Sequence, residues 1–188
     1  MNKILPDGKT IEYVTPPELQ TSQMDADSIQ LYEELYKTAE VISNELKVEI
    51  PYIGLKDKLH RHDPETGKTC VYGGECYRTS DFPMLEHDVI ILSLEDRTPG
   101  MIEATLAHEI KHIEQEKYPR DVSKIMRADT PAGAKMNLAE IDADSYAIRF
   151  LVNHTDMSLE EAVNIVCPIR SKTDVSFAII RILRAMGI

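Results

Sequence analysis

Apolar residues along this chain switch between a period near two and a period near 3.6, and the switches mark out its elements. Lys3-Ile4-Leu5 and Thr10 to Val14 are short β-prone runs on either side of Pro6-Asp7-Gly8-Lys9, a turn-forming set. They predict a small hairpin or an arm lying on the body, ended by Thr15-Pro16-Pro17. From about Asp25, the residues Ile29, Leu31, Tyr32, Leu35, Tyr36, Ala39, Ile42 and Leu46 recur near the helical period, with Glu33, Glu34, Lys37 and Glu40 directed outward. Asp25 or Asp27 would cap that helix. Residues 48–94 read as strands. Val48 to Leu55 is one run, and Pro51 within it indicates an edge or an irregular start. Asp63 to Lys68 is a turn, and Thr69–Tyr72 and Glu75–Arg78 flank a Gly73-Gly74 bulge or tight bend. His87 to Leu94, β-branched and apolar, is the strongest strand in the chain.

Helical periodicity then takes over. Thr98-Pro99 supplies an N-cap and first-turn proline for a helix running through His112 to about Lys117, where Pro119 stops it. Ile102, Leu106, Ile110 and Ile113 give it a face to pack on the sheet. A polar linker, Arg120 to Asp129, leads to Thr130-Pro131 and a second long helix from Ala132 to about Asn153. Ser158-Leu159-Glu160-Glu161 is a capping box for a short helix ending at Cys167-Pro168. Thr173 or Asp174 opens a last helix closed by Gly187. The expectation is an α+β fold: a small mixed sheet packed on the 98–117 helix and the helix after it, with extra C-terminal helices. Residues 1–24 form an N-terminal arm or small hairpin, and 25–188 a single domain, a size that suits one hydrophobic core.

Composition narrows the partners. Twenty-one Lys and Arg against 32 Asp and Glu give a net charge of −11, which argues against a phosphate backbone as the main partner. The N-terminal residues break at Pro-Asp-Gly before an apolar signal core can form, and no stretch is long enough to span a bilayer. A soluble, cytoplasmic protein that binds neither nucleic acid nor membrane is expected. Three cysteines, Cys70, Cys76 and Cys167, without Cys-x-x-Cys spacing suit free thiols in a reducing compartment; proximity alone would suggest a Cys70–Cys76 bridge.

The chemistry concentrates in Thr105-Leu106-Ala107-His108-Glu109-Ile110-Lys111-His112. Residues four apart on a helix share a face, so His108 and His112 can aim two imidazoles at one point, with Glu109 beside it. Two nitrogen ligands and a carboxylate able to deprotonate water are the parts of a zinc hydrolase. A catalytic zinc needs a third protein ligand. Glu140 and Asp144 share a face on the next helix, beside Ala143 and Ala147, whose small side chains permit close approach. Glu140 is the candidate third ligand and Asp144 an outer carboxylate able to orient a zinc-bound imidazole. Asp142 points elsewhere. His60 and His62 read as residues of a solvated turn. His154 can cap a helix end or stabilise an oxyanion, Tyr146 and Arg149 are candidate transition-state donors, and Arg170, Lys172, Arg181 and Arg184 read as a solvated rim.

His-Glu-x-x-His followed some tens of residues later by Glu-x-x-Ala-Asp, here Glu140 to Asp144, resembles the gluzincin metallopeptidases. The closest likeness is to small soluble members of the ImmA/IrrE type, and to the catalytic core of HtpX-like membrane peptidases, whose transmembrane segments have no counterpart here. The resemblance covers roughly residues 25–155. It implies a zincin-like fold, zinc held by His108, His112 and Glu140, Glu109 as general base, and Asp144 as partner of the first histidine. ImmA/IrrE-type proteins usually carry Gly immediately before the second histidine; this chain has Lys111. The expected function is a zinc-dependent endopeptidase acting on a peptide or protein substrate, with a regulator such as a repressor as the target if the likeness extends to function. An extended substrate would pair with a strand edge beside the motif helix, with strand 87–94 as the nearest. The alternative is a non-catalytic or latent zincin-fold module that works by binding a protein.

Overall fold

The computed structural model describes residues 3–4, 10–11, 26–62, 69–118, 138–168, 179, 181–183 and 186–187. In chain order the elements are β1 (Lys3–Ile4), β2 (Thr10–Ile11), α1 (Ala26–Leu46), β3 (Tyr52–Lys56), β4 (Leu59–His62), β5 (Thr69–Tyr72), β6 (Gly74–Tyr77), β7 (Val89–Ser93), α2 (Pro99–Lys117), α3 (Leu138–His154) and α4 (Leu159–Val166). The arrangement is a mixed α+β fold. Strands β1 and β2 pair antiparallel, as the turn between them predicts. The 120–137 linker and helix start, and the 63–68 turn, lie outside the described residues.

Three strands form the central sheet in the order β3-β7-β6, with β3 parallel and β6 antiparallel to β7. Every residue of β7 is buried, which its continuous apolar run requires of a strand covered on both faces. Ile90 and Leu92 face α2, joining Leu106, Ile110, Ile113 and the α1 residues Tyr32, Leu35 and Ile42 in the main core. Val89 and Ile91 face the other way and pack with Leu59 and Tyr77 under the separate β4–β5 hairpin. Strand β3 starts only after buried Pro51 and lies at an edge, where the missing N–H of proline is tolerated. His60 and His62 sit on strand β4, paired to Val71 and Thr69, and not on the turn expected of them. Leu59 anchors β4 in the second core, and the ladder it starts carries both histidines.

Helix α2 packs against α1, α3, α4, β6 and β7 and is the element around which the rest is arranged. Thr98 caps it, its side chain accepting from the Met101 amide, and Pro99 occupies the first turn. Its expected apolar face, Ile102, Leu106, Ile110 and Ile113, is buried. Ala143 and Ala147 of α3 are fully buried and let the two helices pack closely. Ser158 and Glu161 form the capping box of α4, whose Ala162 and Val163 close a third apolar cluster with Ile148 and Leu151. No helix among the described residues is long and apolar enough to cross a membrane.

Candidate metal centre

With Ile102, Leu106, Ile110 and Ile113 turned to the sheet, the 3.6-residue period leaves His108, His112 and Gln115 on the opposite side of α2, facing α3. Glu140 enters from the first turn of α3. One ligand atom from each of His108, His112 and Glu140 lies within 4.8 Å of the others, the group among the described residues able to hold a metal ion. The two Nε2 atoms are 2.9 Å apart, and each is 3.3 Å from an oxygen of Glu140.

The other ring nitrogens are already committed. His108 Nδ1 donates to Asp144 Oδ1 at 2.9 Å, and His112 Nδ1 donates to Gln115 Oε1 at 2.9 Å. Both Nε2 atoms therefore turn their electron pairs inward, toward each other and toward a carboxylate. Such an arrangement is repulsive until a proton or a cation lies between the groups. Zinc bonds of about 2.0–2.1 Å in a tetrahedron place ligand atoms roughly 3.3 Å apart, close to the separations found. The residues fit a zinc ion.

Electrostatics agree with the geometry. Burial opposes charge on His108, but its bonds to Asp144 and Glu140 outweigh burial and lift its pKa to about 10. The same histidines hold Glu140, a half-exposed residue, well below the usual carboxylate range. Burial raises the carboxyl of Glu109, against the pull of His108 and His112, and Glu140 and Glu75 add to the rise. A carboxyl lifted in this way holds a proton more readily.

Strand β6 brings the sheet to the Glu109 side chain. A Cβ on Gly74 would overlap the Thr105 methyl and sit 3.3 Å from Glu109 Cγ, so only glycine lets the strand pass so close. Strand β7 is paired on both sides, and among the described residues β6 is an end strand of the sheet, as β3 is. The unbroken apolar run Val89–Leu92 is the sequence signal of a central strand.

The structure also places the other residues singled out in the sequence. Tyr146 and Arg149 follow Glu140 by six and nine residues, which turns them by roughly 120° and 180° from it around the helix axis. The Tyr146 hydroxyl donates to Glu45 at 2.8 Å, and Arg149 covers the Tyr146 ring. His154 stacks on Phe150 and contacts Glu45 at 2.6 Å, about 21 Å along α3 from Glu140. None of the three faces the candidate centre. Arg181, assigned to a solvated rim, instead donates from Nε to Asp144 Oδ2 at 2.5 Å and is largely buried. Arg170 and Lys172 lie outside the described residues. Asp142 is outside the His108, His112 and Glu140 group, as expected; its Oδ2 accepts from Gln115 Nε2 at 3.1 Å and lies 3.4 Å from Lys111 Nζ. Cys76 is a free thiol, so it forms no bridge to Cys70. Cys167 is also free; burial pushes its thiol up to about 12, with its sulfur 4.0 Å from Asp144.

Gln115 and Arg181 are the contacts that reading the sequence missed. Gln115 carries a signal, since it lies three residues after His112 on the same face. Arg181 carries none, because its partner is 37 residues away. Compared with known proteins, the chain matches no family model, no curated protein and no solved structure.

Proposed function

We propose that this protein is a zinc-dependent endopeptidase with a zincin-like, gluzincin-type site, in which His108, His112 and Glu140 hold the ion. The observation that carries the reading is the inward pair of Nε2 atoms, 2.9 Å apart, each with its Nδ1 hydrogen bonded elsewhere. When bound, zinc would polarise the scissile carbonyl and acidify water. Glu109, next to His108 and raised by burial, takes a proton from the attacking water and delivers it to the leaving nitrogen. Asp144 keeps the His108 ring in the tautomer that a cation needs. Strand β6, an end strand of the sheet among the described residues, passes Glu109 at Gly74, so an extended peptide laid beside it would bring its carbonyls to the base.

A module that only binds a partner would have no use for a carboxylate at position 109, beside the histidines and away from the ligand set. The test is metal content together with cleavage of a broad peptide library. One zinc per chain, and cleavage lost on chelation and restored by zinc, is the expected result. Stoichiometric zinc without cleavage of any peptide or of proteins in an extract would favour the binding module. No zinc uptake on titration would reject the metal centre.

A further inference from the structure

Two histidines flank the candidate ion, and their supports differ. His108 leans on a carboxylate directly, whereas His112 leans on an amide. The amide is itself held at three points: Oε1 accepts from His112, and Nε2 donates to the Ala139 carbonyl at 2.9 Å and to Asp142 Oδ2 at 3.1 Å. Turning the amide over would set its oxygen against two acceptors and its NH2 against a ring N–H. Its orientation is therefore fixed by the network.

Behind it stands a buried pair of charges. Lys111 Nζ lies 2.8 Å from Glu114 Oε2 and 3.4 Å from Asp142 Oδ2, with both the lysine and Glu114 side chains about 5% exposed. Sealing such charges in a helix interface is expensive, and replacing them with apolar residues is often no less stable. Here the lysine offsets the charge of Asp142, which in turn holds the glutamine. The chain of contacts runs Lys111, Asp142, Gln115, His112, and crosses from α2 to α3 and back.

We infer that Gln115, backed by Asp142 and Lys111, is a positioning residue for His112, fixing the ring with hydrogen on Nδ1 so that Nε2 is free for the ion. It acts as the counterpart of Asp144 on the other ligand, and it joins the ligand-bearing turns of α2 and α3 in one network. This inference rests on the metal-centre reading above.

The test uses the full chain and zinc alone, with the dissociation constant measured by chelator competition. Gln115→Met, close in shape but unable to accept from His112, should weaken zinc binding by about 10–100-fold. Gln115→Glu keeps an acceptor oxygen facing His112 and should recover most of that loss. Asp142→Ala should fall toward the lower end of the range, and its effect should be less than additive with Gln115→Met, since both break one relay. Histidine 15N shifts in the metal-free protein supply a second readout: the His112 ring should leave the Nδ1–H tautomer in Gln115→Met and keep it in Gln115→Glu. Zinc affinity equal to wild type in Gln115→Met, or an unchanged His112 tautomer, would overturn the inference. If Gln115→Met fails to fold, Asp142→Ala decides by the same two readouts. If wild-type protein takes up no zinc, the metal centre fails, and the 15N shifts alone still decide whether Gln115 sets the ring.

Discussion

Asp144 Oδ1 accepts the Nδ1 hydrogen of His108 at 2.9 Å, joining α2 to α3 through residues 36 apart in sequence and leaving Nε2 as the nitrogen of that ring free for a cation. The other oxygen of Asp144 is taken by Arg181. A carboxylate held on both sides cannot swing inward to become a ligand, which leaves that part to Glu140. Asp144→Ala should therefore weaken zinc binding by about 10–100-fold, as loss of an outer partner does. Glu140→Ala should weaken it more, since a ligand is lost. Zinc competition titrations on the two variants check the order; equal losses, or the larger one in Asp144→Ala, would reverse the assignment.

Zinc affinity should depend steeply on pH. In the metal-free protein, burial disfavours charge on His108, but Asp144 and Glu140 prevail and carry its pKa to about 10 from 6.5. That proton must leave before the ring can bind a metal. Affinity should rise about tenfold per pH unit from 7 toward 10, with release of a proton on binding. Calorimetry in buffers of different ionisation enthalpy counts the proton, and a pH-independent affinity would contradict the expectation.

The same shifts set the stability of the metal-free protein. The raised pKa of His108 contributes stability fully below pH 6.5, and this is lost as pH climbs to about 10. The lowered pKa of Glu140 contributes stability above pH 4.5, and this is lost as the pH falls below that value. Without metal, these two groups favour the window between 4.5 and 6.5. The rise in Tm on adding zinc should grow as the pH increases above 6.5, as measured by thermal melts with and without the ion.

Glu109→Gln should abolish hydrolysis while zinc stays bound. The carboxylate is assigned to proton transfer, which an amide cannot perform, and it is not among the three groups that converge on the ion. Turnover of a cleaved peptide and zinc content, measured on the same preparation, decide it; wild-type turnover in the variant would remove Glu109 from the role.

Gly74→Ala should impair the base without touching the ligands. The added methyl would overlap the Thr105 methyl and press on Glu109 Cγ, so both side chains must give way. Hydrolysis should fall by roughly 10- to 100-fold, the usual cost of displacing a catalytic group by an ångström or less. Zinc affinity should remain that of wild type. A loss of zinc equal to the loss of activity would show that the strand supports the ligands instead.

Local spacing carried much of this protein's organisation. The helical period of Ile102, Leu106, Ile110 and Ile113 decided which face of α2 is buried, and so where His108 and His112 emerge. Thr98-Pro99 and Ser158 with Glu161 marked helix starts because capping is a contact within one turn. Glu140 and Asp144 were paired by the same rule. What no spacing contains is the pairing of one element with another. Strand β7 became central and β6 an end strand because the sheet order depends on contacts far apart in sequence. Arg181 came to Asp144, and Tyr146 and His154 turned to Glu45, for the same reason. Asp142 lies on a different helix from Lys111 and Gln115, and its contacts with both exist only because Ala143 and Ala147 let those helices close. Periodicity determines which way a side chain points; packing between elements determines what it meets.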